Sequence, residues 1–163
     1  MKLCTITGSR AEFFLLKNLI TKLTYDKKIK NDLLVTGSHN SAFFGNTIKD
    51  IRKSNFRIKA QIDLKIKKDK PSDISNYFSE GVKKFSYYLN KIKPDLILIL
   101  GDRYEIFSAA IAAHILRIPI AHIYGGETTQ GAIDEGIRHS ITKLSHIHFV
   151  STNKYFSRVK QLG

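Results

Sequence analysis

Short apolar runs alternate along this chain with longer stretches in which apolar residues return every three or four positions. The runs at 2–7, 31–36, 56–62, 95–100, 119–123 and 147–150 have the length and composition of strands. Helical periodicity between and beyond them predicts helices at about 11–24, 41–53, 72–92, 103–116, 134–144 and 152–162. Within 72–92, Ile74, Tyr77, Phe78, Phe85, Tyr88 and Leu89 recur at helical spacing, and Pro94 separates this helix from the next strand. The Lys-rich segment 57–71, with one Pro, fits either period least well and is expected to be largely irregular. Strands and helices in this alternation predict an α/β fold, a parallel sheet with helices on both faces. No linker, low-complexity tract or long repeat divides the 163 residues, a length that suits one domain burying roughly 70% of its unfolded surface.

A parallel sheet collects the carboxyl ends of its strands on one edge, and ligands bind there where the strand order reverses. Ser9 and Arg10, Ser38 and His39, Asp102 and Arg103, and Gly125 to Glu127 all follow expected strands, so all should line that edge. Gly8-Ser9-Arg10 opens a helix whose N–H groups could cradle a phosphate, with Arg10 as a forked donor. An ordinary capped turn explains the same residues. The segment lacks the third glycine of a dinucleotide fingerprint and the Gly-Lys-Ser/Thr of a P-loop. Val35-Thr36-Gly37-Ser38-His39 echoes Ile6-Thr7-Gly8-Ser9-Arg10, which convergent turn chemistry can account for.

Asp102 follows the apolar run Leu96 to Leu100 and is either an acid at the edge or the cap of the helix after it; Arg103 beside it is either a ligand contact or a solvated helix residue. Tyr124-Gly125-Gly126-Glu127 brings two glycines to a point of close approach, followed by a carboxylate that is a candidate acid or a plain loop residue. Asp134 lies four residues before Arg138, as Glu135 does before His139, so capping and helical ion pairs compete with catalysis. The clustering of Asp102, Glu127 and Asp134 with Arg10, Arg103 and Arg138 favours an anionic substrate. His114, His122, His146 and His148 lack ligand spacing with Cys or acids, so packing roles are expected and no metal is. Neither Ser9 nor Ser38 lies in a nucleophile elbow.

Twenty-seven Lys and Arg against 14 Asp and Glu give a net charge of +13. That excess suits an acidic partner. It is scattered, however, through stretches such as Lys27-Lys28-Ile29-Lys30 and Lys65-Ile66-Lys67-Lys68, as AT-rich coding produces, rather than gathered on one element as in nucleic-acid binders. Cys4 is the single cysteine and sits in the first apolar run, which suits a core position and a reducing compartment. The N-terminal run breaks at Gly8 before reaching signal length, and no apolar run could span a bilayer. A soluble, cytoplasmic protein with neither membrane nor nucleic acid as partner is the expectation.

Thr7-Gly8-Ser9-Arg10-Ala11-Glu12, Gly101-Asp102-Arg103-Tyr104-Glu105, His122-Ile123-Tyr124-Gly125-Gly126-Glu127 and the stretch from Ile133 to His148 together carry a resemblance. The chain resembles the UDP-N-acetylglucosamine 2-epimerase family, on the hydrolysing branch that feeds sialic-acid and legionaminic-acid synthesis. The resemblance runs over essentially the whole chain and is strongest from 98 to 163. It implies a GT-B-type architecture of two Rossmann-like halves with the site in the cleft between them. The present chain is expected to be the N-terminal half, stopping at Gln161-Leu162-Gly163 where relatives continue into a second domain with most of the UDP contacts. The implied partners are a UDP-sugar, that missing domain or a split-gene partner, and a possible homo-oligomer. No redox cofactor is implied.

The resemblance also implies a reaction: loss of the sugar C2 proton with departure of UDP, then addition of water with inverted configuration at C2. Asp102 and Asp134 correspond to catalytic acids, with Glu127 as a further candidate. Arg10 corresponds to a phosphate contact, and Ser9, Arg103, Arg138 and His139 are expected to support substrate binding. One position departs from the pattern. Tyr124 stands where many relatives carry Glu, and a phenol with an ordinary pKa of about 10 is no equivalent base. Proton transfer then falls to Glu127, Asp134 or Asp102, or the substrate differs, or this copy is impaired. The alternative to an enzyme is a catalytically silent remnant or assembly module that requires a partner domain.

Overall fold

The computed structural model describes residues 1–40, 47–65, 70–129 and 133–162. Six strands, β1 (Lys2–Thr7), β2 (Lys30–Val35), β3 (Ile58–Gln61), β4 (Leu96–Leu100), β5 (Ile120–Ile123) and β6 (Ile147–Phe149), form one sheet in the order β3-β2-β1-β4-β5-β6. Every pairing is parallel. The helices are α1 (Arg10–Tyr25), α2 (Ile48–Lys53), α3 (Pro71–Ile92), α4 (Tyr104–Ile115), α5 (Ile133–Leu144) and α6 (Asn153–Gln161). Strand order runs outward in one direction from β1 and in the other from β4, so the reversal falls between these two. The turns after β1 and β4 therefore flank the crevice in which such sheets bind ligands.

Alternation along the strands divides the core into two layers. Cys4, Ile6, Leu34, Ile97, Ile99 and Ile120 face Phe85 and Leu89 of α3, the small residues of α4, and Ile137 and Ile141 of α5. Leu33, Val35 and Leu100 face the opposite way, onto Phe13, Leu16 and Ile20 of α1 and Ile48 and Ile51 of α2. On that second face α1 and α2 leave part of the sheet open. A groove of about 410 Å³ lies over Leu3, Leu98, Ala121, Ile147 and Phe149, bordered by Leu19. Ile147 and Phe149 are 45% and 52% exposed there, although strands of a parallel sheet are usually covered on both faces. Cys4 is fully buried in the first layer, and burial pushes its thiol up. Among the described residues no helix is long and apolar enough to cross a membrane.

The expected elements match the observed ones to within two residues except in the helix expected over 41–53. Residues 41–46 of the helix expected over 41–53 lie outside the described residues, and α2 begins at Ile48. The strand expected over 56–62 is the four-residue edge strand β3, which opens the Lys-rich segment, and Pro71 at the end of that segment starts α3 at its first turn. Residues 66–69 of that segment also lie outside the described set. His114, expected to be buried, is exposed near the end of α4; its neighbours Ala112 and Ala113 take the buried positions of that turn.

The closest helix packing, α3 against α4, depends on small residues. Ala109, Ala110, Ala112 and Ala113 are all fully buried. Ser108 Oγ donates to the Tyr104 carbonyl at 2.9 Å within its own helix or to Phe78 O across the interface at 3.1 Å. A Cβ added at Gly81 would lie 2.6 Å from Ser108 Oγ and 2.8 Å from Ser108 Cβ. Alanine in a helix interior gains up to about 1 kcal/mol over glycine, and overpacking costs about 1–3 kcal/mol. Gly81→Ala is therefore expected to lower stability by about 1 kcal/mol, read as a lower urea midpoint at unchanged m-value. A raised midpoint would show that the two helices move apart freely.

Candidate active site

The turn after β1 is a reciprocal cap. Ser9, in extended backbone, accepts the Glu12 N–H on Oγ at 3.3 Å, and Glu12 Oε2 accepts the Gly8 N–H at 2.8 Å. The Gly8 amide is thus committed within the protein rather than free for a phosphate. Arg10 is exposed at the start of α1, its guanidinium 5.5 Å from the centre of the Phe14 ring.

The two echoing Gly-Ser turns dock against each other. Ser38 N–H donates to Gly8 O at 2.8 Å, and Thr36 N–H donates to Thr7 O at 3.0 Å. The fully buried His39 places Nε2 3.0 Å from Thr7 Oγ1. Burial, assisted by the charge of Arg103, pushes His39 down to about 4, so it is neutral near pH 7. Beneath these turns lies Glu105, 1% exposed. Its carboxylate accepts Arg103 Nε at 2.7 Å and the Tyr77 hydroxyl at 3.2 Å. A Cβ at Gly8 would sit 2.6 Å from Glu105 Oε1, and one at Gly37 would also collide with that oxygen. Gly37 further has φ of 59°, a conformation that favours glycine.

Burial raises Glu12 from its usual 4.5 to about 7, opposed by the Gly8 N–H and reinforced by the charge of Glu105. Burial opposes the charge on Arg103, but Glu105 and Glu12 outweigh it and hold the guanidinium above its ordinary range. Arg103, expected at the substrate, is thus paired with two buried acids across the switch point.

Asp102 behaves differently. The helix after it is capped at Arg103, without a side-chain bond, and the Asp102 carboxylate turns instead to Arg138 Nη2. Arg138 Nη2 also donates to Thr129 Oγ1 at 2.8 Å, while the buried Nη1 has no partner among the described residues. Arg138 pairs in this way rather than with Asp134, which is half-buried in the first turn of α5. The other helical spacing does form a contact, with His139 Nε2 3.4 Å from Glu135 Oε1. Glu135 Oε2 also accepts the Thr129 N–H at 3.0 Å, tying the loop after β5 to α5.

In that loop Tyr124 has φ of 68° and its N–H donates to Phe149 O at 3.0 Å. Positive φ in a tyrosine is uncommon and marks a backbone held by its surroundings. Gly126, at φ 79°, lies against α6: its carbonyl accepts Arg158 Nη1 at 2.6 Å, and a Cβ there would be 2.8 Å from Tyr155 O. Glu127 Oε1 accepts Ser151 Oγ at 2.9 Å. The expected residues therefore fall into groups. Asp102 and Arg138 meet, with Asp134 and His139 on the same helix; Ser9 caps α1, which Arg10 opens; Arg103 joins Glu12 and Glu105; Glu127 bonds Ser151 near the start of α6. From the sequence His39 is expected only as a residue of the strand-end edge, Tyr77 only as part of a helical repeat and Glu105 only within a motif, none with a role at the site; Glu12 carries a further local signal, its Ser-x-x-Glu capping spacing. Among the described residues no three His, Cys, Asp or Glu side chains group as metal ligands.

A family model described as UDP-N-acetylglucosamine 2-epimerase matches residues 21–163. The chain is 42% identical over 162 residues to the Campylobacter jejuni GDP/UDP-N,N'-diacetylbacillosamine 2-epimerase (hydrolyzing), covering 99% of this chain and 42% of that protein. It is 44% identical to Polysialic acid biosynthesis protein P7 of Escherichia coli, over 99% of this chain and 41% of the relative. The chain thus spans about two-fifths of the length of these relatives. Among solved structures, the Neisseria meningitidis UDP-GlcNAc 2-epimerase bound to UDP-GlcNAc superposes with a TM-score of 0.80 at 26% identity, over 99% of this chain and 43% of that one. The Rossmann-like fold shared with such structures is half of a GT-B-type architecture.

The raised Glu12 predicts a pH dependence of stability. Its fold favours the protonated carboxyl, so the contribution is whole below about pH 4.5 and is lost as pH rises through about 7. Between about pH 5 and about pH 8 the loss is expected to be on the order of 2 kcal/mol. Glu12→Gln should remove that slope in urea titrations across the range; an unchanged slope would assign it to another group.

Proposed function

The chain belongs to the UDP-N-acetylglucosamine 2-epimerase family, and from that membership we propose that it is the N-terminal, acid-bearing domain of a hydrolysing sugar-nucleotide 2-epimerase. The substrate is UDP-N-acetylglucosamine or the related UDP-diacetamido trideoxy sugar, the latter supported by two relatives named for N,N'-diacetylbacillosamine. A cytoplasmic setting and a place in sialic- or legionaminic-acid synthesis belong to the same proposal.

The observation that carries it is the Asp102–Arg138 pair at the carboxyl edge of β4, with a buried guanidinium nitrogen that no group among the described residues satisfies. A buried donor without a partner is costly, and a substrate oxygen beside Asp102 would relieve it. In the first step a carboxylate takes the C2 proton, its bonding pair becomes the C1=C2 double bond, and the C1–O bond breaks to release UDP. In the second step a carboxyl returns a proton to the opposite face of C2 while the oxygen of water bonds to C1 and its proton leaves to a base. Two acids of independent orientation serve this sequence, one for each face of C2. Asp102, held by Arg138, and Asp134, one turn before Arg138 on α5, are assigned to them, with Glu127 as the further candidate. Arg10, exposed at the start of α1, and Ser9 are assigned to the diphosphate side, where cationic donors stabilise the departing charge. Arg103 and His139 complete the binding surface.

A second reading, an assembly module without activity of its own, is favoured by the open apolar face over β4, β5 and β6. Its occupant would be polypeptide corresponding to the rest of the relatives' length, supplied by a partner domain.

UDP release from both sugar nucleotides, by this chain alone and with such a domain added, separates the readings. The enzyme reading expects release, and a fall in kcat of about 100- to 10,000-fold in Asp102→Asn and Asp134→Asn. Release undiminished in both variants would refute the residue assignment, and no release from either substrate under either condition would favour the assembly module.

A further inference from the structure

His122, at the end of β5, is fully buried and touches every element that carries a candidate acid. Its Nε2 is 2.8 Å from the carbonyl oxygen of Gly101, the residue before Asp102. A carbonyl only accepts, so Nε2 bears the proton and Nδ1 does not. On its other side Nδ1 lies 3.5 Å from Thr142 Oγ1, whose hydroxyl donates to Arg138 O at 2.8 Å one turn back along α5. Gly125 closes over the same ring: a Cβ there would come within 3.1 Å of Nδ1 and 3.0 Å of Thr142 Oγ1.

The β4 turn with Asp102, the β5 loop with Glu127, and α5 with Asp134 and Arg138 thus converge on one imidazole. We propose that His122 is a positioning residue for the reaction assigned above: its Nε2–H bond to Gly101 O sets the β4 turn so that Asp102 meets Arg138. The other tie of Gly101 to β5, its N–H to Ile123 O, is longer at 3.2 Å. Gly101 adopts φ of 81°, and an added Cβ there would meet nothing within 4 Å, so side-chain packing does not hold the turn. Burial, offset in part by that same bond, pushes His122 down to about 4. The ring therefore stays neutral, with a single N–H that has one geometric use.

The proposal rests on the epimerase reading for its catalytic consequence but not for its geometry, and two measurements keep them apart. The first follows the guanidinium N–H signals of Arg138 by NMR in the ¹⁵N-labelled chain, assigned by their loss in Arg138→Lys. Asp102→Asn should collapse them to the averaged signals of a free guanidinium. His122→Asn, whose amide cannot reach Gly101 O, and His122→Phe should do the same. His122→Gln, which keeps a donor at the Nε2 position, should restore them. Wild-type Arg138 signals in a folded His122→Asn or His122→Phe protein would overturn the proposal; if the Phe variant does not fold, the Asn and Gln pair decides.

The second measurement is UDP release. A displaced Asp102 should lower kcat about 10- to 100-fold in His122→Asn with KM within about threefold, and His122→Gln should recover most of the loss. A wild-type kcat in His122→Asn would likewise overturn the positioning role. Absence of release from the wild-type protein would count against the epimerase reading alone, because the NMR comparison tests the tether without turnover.

Discussion

Glu105 is the residue around which the ligand-binding edge of this sheet is assembled. Its carboxylate is buried below the turns after β1 and β2, close enough that neither Gly8 nor Gly37 could carry a side chain, and it is held by Arg103 and Tyr77. A buried carboxylate without partners costs several kcal/mol, so its hydrogen bonds have to form together with the packing. The strand ends therefore close as a unit. Arg103 meets the acid within its own turn, but Tyr77 reaches it only when α3 packs on α4, and burial, reinforced by the charge of Glu105, raises the neighbouring Glu12 to about 7. The price of this arrangement is a stability that declines as Glu12 ionises.

A second charged cluster, on the other side of β4, has a different character. Asp102 and Arg138 are paired, yet Arg138 keeps an unsatisfied nitrogen and Asp102 retains some exposure. The Glu105 cluster is satisfied by its own members, with Arg103 paired to two acids though half exposed, whereas the Asp102 pair leaves a donor without a partner among the described residues. Incomplete polar pairing at a switch-point edge is what a reacting site needs, and complete pairing is what a scaffold needs. Two adjacent residues, Asp102 and Arg103, consequently point into different networks. Tyr124 has its backbone at positive φ and its N–H bonded to β6, and Gly126 O accepts from Arg158 of α6, so the loop carrying Glu127 is anchored at two points.

The apolar groove over β4, β5 and β6 concerns the fold as a whole. One face of this half of the sheet is covered by α3, α4 and α5, but the other meets only the edge of α1. Ile147 and Phe149 have strand composition yet remain accessible, so β6 is a buried-type strand without its second cover. The relatives are more than twice as long as this chain, and the Neisseria meningitidis structure shares its fold over 99% of this chain. Whatever covers the groove bears on association of the domain, while the tethering of Asp102 through His122 lies within the described residues.

Periodicity alone determined the element order, the parallel sheet and the edge on which the candidate residues gather, because strand and helix repeats are local properties of neighbouring residues. The strand limits of β1 and β4 and the Pro-started α3 were legible in the same way. A strand over 56–62 was legible too, but its trimming to the four residues of β3 was not, since pairing with β2 sets those limits rather than any repeat of its own. At the site, sequence named Asp102 and Arg138 but not their pairing. Asp134 and Arg138 have the spacing of a helical ion pair, and only the approach of the β4 turn to α5 gave Arg138 another carboxylate. Glu105, Tyr77 and His39 are ordinary residues of helices and turns along the chain, and become a network only when distant segments meet. Local sequence sets which face each residue occupies; which charge it faces is decided by long-range packing, where desolvation makes a buried group take whichever partner the fold brings within reach.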